Sequence, residues 1–328
     1  MLPCARNKAV DVSLLVATRN RAVILQQTLE SLACQMLDGT TWEVIVVDNG
    51  STDETQDVLL RMRSVLPLVQ LDEPAPGKNR ALNRALAVAR GRLLLFTDDD
   101  VVADPNWVHE MRAAAARWPE QTILAGAIRP LFENGVPSWI RATRFRYRRL
   151  AFCGFQPQEQ EGYIEQRAFG ANWAVHRRCV EGMVFCETIG PQGTRNYPVG
   201  SETEFLARLE ERGARTVFVP AARVQHVITA EQSQVRALLG RAFRAGRGDV
   251  ALGEPLRGWL VAGAPAYVWK WLAGAALRYA VSVFCNRLVR LERGMDLWRA
   301  WGRIYQLRRM REQQHQSPAA SRGSHNGA

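Results

Sequence analysis

Short apolar runs alternate with segments of helical spacing along the first hundred residues of the chain. The runs are rich in Val, Leu and Ile, end in polar residues, and lie at residues 12–17, 42–47, 69–71 and 93–96. Between them, apolar residues recur three or four positions apart, as in an amphipathic helix. This alternation predicts βαβ units, and therefore an α/β fold with a mostly parallel sheet and helices on both faces. No stretch matches G-x-G-x-x-G, so a nicotinamide- or flavin-binding Rossmann domain loses its main sequence support.

The apolar run at 93–96 leads directly into acidic residues, because Thr97, Asp98, Asp99 and Asp100 follow it. Adjacent carboxylates repel one another where they approach burial, so we expect a cation to neutralise them. The carboxyl end of a strand in an open α/β sheet is also where ligands bind. The sequence therefore predicts a divalent metal that holds a phosphorylated ligand. The alternative is a solvated acidic turn before a helix that Asp104 caps.

Polar loops follow two further strands of the predicted sheet. Because parallel strands place their carboxyl ends together, the loops after residues 17, 47 and 96 should meet at one edge. Asp48 can accept hydrogen bonds from a base or a ribose, while Arg19 and Lys78 can bind phosphates. Together these residues predict a nucleotide diphosphate pocket beside the metal site. Taken alone, Asp48 before Asn-Gly-Ser also fits ordinary turn chemistry.

Four motifs occur in a recognisable order: Val-Ser-Leu-Leu-Val-Ala-Thr-Arg-Asn-Arg, Val-Ile-Val-Val-Asp-Asn-Gly-Ser-Thr-Asp, Gly-Lys-Asn-Arg-Ala-Leu-Asn and Leu-Phe-Thr-Asp-Asp-Asp. In this order they resemble the family 2 glycosyltransferases of the GT-A fold, and the resemblance covers roughly residues 11 to 228. It implies an inverting, nucleotide-sugar-dependent hexosyltransferase with a bound Mn or Mg ion.

The resemblance also implies roles for individual residues of the donor site. Thr18, Asp48 and Lys78 are expected to bind the nucleotide. Asp98 is expected to contact the ribose or the metal, Asp99 lies beside it in the donor pocket, and Asp100 is expected to bind the metal. Arg19 stands where the family commonly has Tyr, so we expect it to stack on the base through its guanidinium plane.

Two later segments extend the resemblance toward the acceptor. Phe-Gly-Ala-Asn-Trp at 169–173 is similar to a strand that lines the acceptor side, which implies acceptor contacts for Asn172 and Trp173. Ser201 and Glu204 have the spacing of a capping box at the start of a helix. Glu202 stands two residues before Glu204, where the family usually has the Asp that acts as general base. Glu202 is therefore the implied catalytic base, longer by one methylene.

A predicted edge strand at 216–219 is followed by Val-Gln-His-Val. In relatives of this kind a histidine at this point can complete the metal shell, which implies that His226 joins Asp98 and Asp100. A histidine flanked by valines also fits a position in the core, and the sequence leaves both alternatives open.

Residues 231–312 differ in character from the catalytic domain expected over 1–230. They contain a basic helical segment and an aromatic-rich stretch at 259–284, which Lys270 and Arg278 interrupt, so no uncharged span of bilayer length is present. We expect a helical hairpin in the membrane interface, with arginines toward anionic headgroups (Arg287, Arg290, Arg293, Arg299 and Arg303). The alternative is a helical appendage that packs on protein. The polar residues 313–328 are expected to be disordered.

The amino-acid composition gives the net charge of the chain and indicates a cellular compartment. The formal net charge is +11, carried almost entirely by arginine, which suits phosphate or anionic lipid and also fits a GC-rich genome. The five arginines of residues 141–149 could cover the donor, face lipid, or form a solvated helix face. Six cysteines without C-x-x-C spacing look like reduced core thiols of a cytosolic protein, and no export signal is expected at the N-terminus.

The sequence thus favours a glycosyltransferase at the cytoplasmic face of the cell membrane. The expected donor is a nucleotide-diphosphate sugar, most simply a UDP-sugar, and the expected acceptor is a lipid-linked or growing glycan of a surface polysaccharide. One alternative is a sugar nucleotidyltransferase, but the loop after the first strand lacks the expected glycines. The other is a non-catalytic nucleic-acid binder, for which the acidic triplet would be repulsive, so no nucleic-acid partner is expected.

Overall fold

The computed structural model describes residues 9–142, 144–194, 196–253 and 258–316. The chain forms two compact units, Met1–Gln234 and Val235–Ala328. The expected boundary at residues 230 and 231 lies four residues before the one between these units. Each unit has its own apolar cluster within the described ranges.

The first unit is an α/β domain. Its strands in chain order are β1 (Val12–Thr18), β2 (Trp42–Asp48), β3 (Leu68–Asp72), β4 (Leu93–Phe96), β5 (Val101–Ala103), β6 (Thr122–Phe132), β7 (Gly162–Tyr163), β8 (Trp173–His176) and β9 (Arg215–Ile228). Its helices are α1 (Ala22–Ala33), α2 (Thr55–Met62), α3 (Lys78–Val88), α4 (Trp107–Arg117), α5 (Arg148–Phe152) and α6 (Ser201–Glu211), with a 3-10 helix at Arg177–Val180.

In the described part of the chain, the nine strands form one sheet in the order β3-β2-β1-β4-β8-β6-β9-β5, and β7 pairs with β9. Strands β1 to β4, β6 and β9 run in one direction, while β5, β7 and β8 run against them. The predicted mostly parallel α/β sheet is confirmed. The continuous apolar runs of β1 and β4 are buried, as expected for strands covered on both faces.

The predicted edge strand at 216–219 is wrong. These residues belong to β9, whose Thr216 to Val219 pair with Ile123 to Gly126 of β6 on one side. On the other side, Val217 and Phe218 pair with the short strand β7. The partner strand β7 lies more than fifty residues earlier in the chain. Spacing within the apolar run therefore could not indicate that it has neighbours on both sides.

The predicted capping box at the start of α6 is also wrong. Ser201 is the first helical residue, and its Oγ donates a hydrogen bond to the carbonyl of Ile189 over 3.4 Å. Glu204 forms an ion pair with Arg208 one turn later, at 2.7 Å. Asp104 is not the N-cap of α4, because the helix begins at Trp107 with Asn106 as its N-cap residue. Asp104 Oδ1 accepts a hydrogen bond from the backbone N–H of Asn106 just before the helix.

The second unit is helical, apart from one hairpin, within its described residues. Its elements are α7 (Val235–Ala251), β10 (Leu260–Val261), β11 (Ala264–Pro265), α8 (Ala266–Val281), a 3-10 helix (Ser282–Phe284) and α9 (Arg287–Gln316). Helices α7 and α9 approach closely, since a Cβ on Gly246 would lie 1.9 Å from the carbonyl oxygen of Arg299, and one on Gly302 2.1 Å from that of Phe243. Glycine is required at both positions.

Two of the arginines expected to face lipid have a different role. Arg299 and Arg303 both bind the carboxylate of Asp249 on α7, each at 2.8 Å. Arg247 is buried and donates to Gln306 Oε1, and burial lowers its pKa. These charges therefore fasten the helices of the second unit to one another.

Three further predictions from the sequence concern membrane-spanning helices, the C-terminal residues and the cysteines. Among the described residues, every helix is too short or too polar to cross a membrane. Helix α9 continues to Gln316, so 313–316 are helical rather than part of a tail, and 317–328 lie outside the described residues. Five cysteines are described, and all are free thiols. Cys34 and Cys285 are exposed, so the expectation of core thiols is wrong for them.

Candidate active site

The polar residues predicted from separate loops meet at the carboxyl edge of the sheet. Thr18 ends β1 and is the register partner of Asp48, which ends β2. The acidic triplet follows β4, which pairs with β1 on its other side. Thr18, Asp48, Asp99 and Asp100 are all buried. The βαβ order of the chain is sufficient to explain this convergence.

Asp98, Asp100 and His226 form a cluster that can hold a metal ion. One ligand atom from each lies within 4.8 Å of the other two. His226 reaches the cluster because its strand β9 pairs with β5, directly after the acidic triplet, where His226 is the register partner of Val101. Its Nε2 lies 3.3 Å from Asp100 Oδ1.

The chemistry of this cluster fits a divalent cation such as Mn or Mg. Two carboxylates and one imidazole nitrogen are ordinary ligands for such ions. Asp100 Oδ1 and His226 Nδ1 are buried without a hydrogen-bond partner in the described ranges, although polar atoms in such places are normally satisfied. Burial raises the pKa of Asp100, but its contacts with His226 and Arg21 outweigh burial and lower it, so the Asp100 carboxylate is ionised and available to a cation.

Arg21 is a site residue that the sequence analysis missed. Its guanidinium binds Asp99 Oδ1 and Asp100 Oδ2, each at 2.7 Å. The signal was present, because Arg21 lies in the same polar loop as Thr18 and Arg19. The guanidinium binds one oxygen of Asp100 and leaves Oδ1 directed toward His226, so Arg21 orients the candidate metal ligand.

Asp99 is bound by the protein itself. Thr18 Oγ1 donates to its Oδ2 over 2.8 Å, while Arg21 binds Oδ1. Burial raises the pKa of Asp99 to about 6, even though the charge of Arg21 acts in the opposite direction. Both carboxylate oxygens of Asp99 thus have partners within the loop. This geometry does not support the contact between Asp99 and the nucleotide sugar that the resemblance implies.

Lys78 connects the acidic cluster to the expected catalytic base. It is the first residue of α3, and its Nζ donates to Asp98 Oδ1 and to Glu202 Oε1, each at 2.6 Å. Burial lowers the pKa of Lys78, but the two carboxylates outweigh it and raise the pKa well above its usual value. Burial likewise raises the pKa of Glu202, yet the charge of Lys78 reverses this effect and lowers it.

Gly170 lies beside the carboxylate of Glu202 and was not predicted as a site residue. A Cβ on Gly170 would lie 2.7 Å from Glu202 Oε1, inside van der Waals contact. The glycine therefore leaves the space into which the longer side chain at position 202 extends. No local sequence pattern joins residues 170 and 202.

The remaining donor-side predictions have mixed outcomes. Asp48 Oδ1 accepts a hydrogen bond from the N–H of Ser51 over 2.9 Å, and its other oxygen accepts from Gln56. The turn chemistry weighed for this residue is thus present. Arg19 is exposed, and its guanidinium lies beside Gly193.

Asn172 and Trp173 lie in the core instead of at a surface. Asn172 donates to the carbonyls of Ala127 and Ala222, each over 2.9 Å, and accepts a hydrogen bond from Trp107 Nε1 over 2.8 Å. Trp173 stacks on Phe96 with ring centroids 4.0 Å apart. Both side chains are fully buried, so the expected acceptor contacts do not fit this structure.

The basic segment at 141–149 packs through part of its length. Arg149 lies over the rings of Phe155 and Phe169, with its guanidinium carbon 5.3 and 4.7 Å from their centroids, and burial lowers its pKa. Arg148 donates to the carbonyl of Arg141 over 2.7 Å. Arg149 is nevertheless exposed, so a solvated helix face remains one of the three alternatives.

The mixed sheet, with acidic residues at its carboxyl edge and a Lys–Glu pair beside them, defines a glycosyltransferase of the GT-A fold. Residues 13–183 match the family described as Glycosyl transferase family 2. The chain belongs to this family, and the resemblance stated from the motifs is confirmed. Family membership also favours an enzyme over the nucleic-acid binder and a glycosyltransferase over the nucleotidyltransferase.

Individual relatives agree with this assignment over parts of their length. The validoxylamine A glucosyltransferase of Streptomyces hygroscopicus subsp. jinggangensis (strain 5008) is 34% identical over 117 residues, which are 35% of this chain and 28% of that protein. The O-antigen biosynthesis protein RfbC of Myxococcus xanthus is 31% identical over 229 residues, which are 66% of this chain and 17% of that protein. The chain thus matches less than a third of the length of each relative.

A solved structure shows the same fold over most of the chain. The mannosyltransferase PcManGT from Pyrobaculum calidifontis, in complex with GDP-Man and Mn2+, has a TM-score of 0.59. The match covers 90% of this chain and 86% of that one, at 19% identity. Similarity at this identity concerns the fold alone.

Proposed function

We propose that this chain is an inverting, metal-dependent glycosyltransferase that moves a sugar from a nucleotide diphosphate to an acceptor hydroxyl. The observation that carries the proposal is the continuous arrangement of Asp98, Asp100 and His226 next to the Lys78–Glu202 pair. Lys78 contacts both Asp98 of the candidate cation site and Glu202, the candidate base, each at 2.6 Å, which supports the proposal. The complex of PcManGT with GDP-Man and Mn2+ supports the same combination of ligands.

The donor side of the site has charge suited to a diphosphate. Asp98, Asp100 and His226 would hold the cation, and a bound divalent cation would stabilise the negative charge of the departing diphosphate. Thr18 and Asp48 end neighbouring strands at this edge, where a nucleotide is expected to lie. Arg19 is exposed beside them and can meet a phosphate or a base.

Glu202 is the proposed general base. Its carboxylate takes the proton of the acceptor hydroxyl as the hydroxyl oxygen attacks the anomeric carbon from the face opposite the diphosphate. The bond from sugar to diphosphate breaks as the new glycosidic bond forms, so the configuration inverts in a single displacement. No side chain forms a covalent bond to the sugar.

Lys78 controls when Glu202 can act. While its ammonium pairs with Glu202, the pKa of the carboxyl is low and the carboxylate is a weak base. A donor diphosphate brings negative charge that competes for Lys78. Release of Glu202 from this pair raises its pKa toward the ordinary value, so donor binding prepares the base.

Replacement of Gly170 by Ala is expected to reduce turnover by about tenfold to 10²-fold, because the new methyl group displaces the Glu202 carboxyl and small misplacements of a reacting group are costly. The melting temperature should stay the same, since the displaced atoms are the end of a flexible side chain. Steady-state turnover and thermal unfolding of Gly170→Ala are the measurements. Gly154→Ala is the control, because a Cβ there would meet only ordinary contacts at 3.5 Å. Wild-type turnover in Gly170→Ala would show that Glu202 is not constrained there.

We also propose that the acceptor is a lipid-linked or growing glycan, and that the chain works peripherally at the cytoplasmic face of the cell membrane. The O-antigen biosynthesis role named for RfbC supports a surface polysaccharide. Nucleotide sugars are made in the cytosol, which supports that face.

The function is tested by measuring nucleoside diphosphate release from UDP-, GDP-, dTDP- and CDP-sugars by the full chain, with a detergent extract of cell-envelope lipids as acceptor. We expect release from one nucleotide class, abolished by EDTA and restored by Mn or Mg. Product of inverted anomeric configuration is expected by NMR. A retained configuration would exclude the single displacement, and EDTA-resistant release would exclude the role of the metal.

A further inference from the structure

The positive charge of the chain is concentrated in the second unit. Residues 235–328 contain 16 basic and five acidic residues, a formal net charge of +11, whereas residues 1–234 contain 27 of each. The whole net charge of the protein therefore resides in the C-terminal part. A charge asymmetry of this kind indicates an anionic partner for that part.

Helix α8 in this unit has an apolar inner side, and its outer side combines exposed apolar residues with Lys270. Its inner side has Val268 and Ala275, which are buried against the rest of the unit. Its outer side has Ala273, Leu277 and Val281, which follow one another at helical spacing and are exposed, Leu277 by 67% and Val281 by 58%. Apolar residues that follow one another along one side of a helix are normally covered. The outer side of α8 lacks such a cover in the described residues of this unit.

Exposed aromatic side chains flank the helix at both ends. Trp259, next to the hairpin that precedes α8, is 90% exposed, and Phe284, just after the helix, is 91% exposed. Leu260 and Val261 of the hairpin are also exposed. We call Trp259, Ala273, Leu277, Val281 and Phe284 the α8 surface. Exposed aromatic side chains on the flanks of an apolar helix face are typical of insertion into a lipid interface.

The positively charged residues in the sequence around α8 favour one class of binding partner over the others. Among the described residues 258–291, four are basic and none is acidic (Lys270, Arg278, Arg287 and Arg290). A second copy of the chain would bring like charges together across the contact. A nucleic acid would satisfy the charges but leave the apolar residues without a role. An anionic bilayer satisfies both, because headgroups attract the basic residues and the acyl boundary receives the apolar ones.

We propose that the α8 surface docks on an anionic lipid bilayer, with α8 lying in the plane of the interface. This specifies the membrane location proposed above, while docking itself does not require transfer activity.

The test is cosedimentation of the full chain with vesicles of phosphatidylcholine alone and with about one third phosphatidylglycerol. Wild-type protein should bind the anionic vesicles, and the affinity should fall steeply between 0.05 and 0.5 M NaCl, since screening weakens such attraction. The double variant Leu277→Ser/Phe284→Ser should bind at least tenfold more weakly, with unchanged melting temperature because both side chains are exposed. Val23→Ser, which removes a 78% exposed side chain from α1, is the matched control and should bind like wild type.

Each other outcome overturns the proposal. Equal binding of the double variant and wild type would exclude the α8 surface, and equal binding to neutral vesicles would exclude anionic lipid. A wild-type dimer in light scattering that the double variant loses would assign the surface to a second copy. Binding to RNA on filters without binding to vesicles would assign the charge to nucleic acid. Donor-dependent nucleoside diphosphate release in detergent, measured on the same variants, separates failure of docking from failure of the transferase function.

Discussion

Glu202→Gln is expected to reduce turnover by about 10² to 10⁴, the range typical for loss of general base catalysis. The amide has the shape of the carboxylate but cannot take the proton of the acceptor hydroxyl. Donor affinity should be retained or should rise, because the neutral amide competes less with the diphosphate for Lys78, which keeps its contact with Asp98 at 2.6 Å. The measurement is steady-state turnover at saturating donor, together with the donor concentration at half-maximal rate.

Glu204→Gln is the matched control two residues away. Glu204 is paired with Arg208 at 2.7 Å on the same helix, which is a stabilising contact of about 0.3 to 0.5 kcal/mol for a pair of this spacing. Its loss should lower the melting temperature slightly and leave turnover unchanged. If Glu204→Gln were inactive while Glu202→Gln turned over normally, the base would be Glu204, and the Lys78–Glu202 pair would have no catalytic meaning.

The second large effect that we expect is the loss of metal binding in the variant Asp100→Asn. The amide of Asn is a weaker ligand than a carboxylate for a divalent cation, and Asp100 is the buried carboxylate of the cluster, in contact with both His226 and Arg21. Asn keeps the size of Asp, and its amide oxygen can still accept from Arg21, so the fold should persist. The measurement is Mn2+ affinity by electron paramagnetic resonance with a nucleoside diphosphate present, and we expect a loss of at least tenfold.

The exposed Asp57 on α2 provides a control of the same residue type. Asp57→Asn should bind Mn2+ with wild-type affinity. Wild-type affinity in Asp100→Asn would remove Asp100 from the ligand set. An equal loss in both variants would mean that general charge, and not the cluster, attracts the ion.

Local patterns were enough to predict the first half of the sheet and the acidic cluster. Strands β1, β2 and β4 are continuous apolar runs that end in polar loops, and the βαβ order alone brings those loops together. His226 was expected at the metal through the resemblance, and the pairing of β5 with β9 brings it there.

The sequence failed where a contact depends on a distant partner. The space at Gly170 exists only because residue 202 lies against it, and the capping pattern at Ser201 is overridden by the carbonyl of Ile189 in the preceding loop. Asn172 resembles a surface motif but binds three core groups that come from other elements. At each of these positions, a residue that is distant in the sequence determines the role of the side chain. The local spacing of residues does not indicate which distant residue that is.

In the second unit, the sequence predicted a lipid surface of basic and aromatic residues. Trp259, Trp271 and Phe284 are exposed, and the contact with lipid stays a prediction. Individual arginines could not be sorted, because Arg299 and Arg303 occur in the same pattern as Arg287 and Arg290 and yet bind Asp249. Only the packing of α9 along α7 distinguishes the arginines that bind Asp249 from those that do not.

The central claim is that the cluster of Asp98, Asp100 and His226 binds a metal that in turn holds a nucleotide sugar. A thermal-unfolding panel of UDP-, GDP-, dTDP- and CDP-sugars, with Mn2+ and with EDTA, tests it most directly. A ligand that binds only the folded state stabilises it by about 2.7 kcal/mol at a concentration of 100 Kd. We predict that sugars of one nucleotide raise the melting temperature in the presence of Mn2+ and not in EDTA. An unchanged melting temperature with every donor, or an equal rise in EDTA, would contradict the claim.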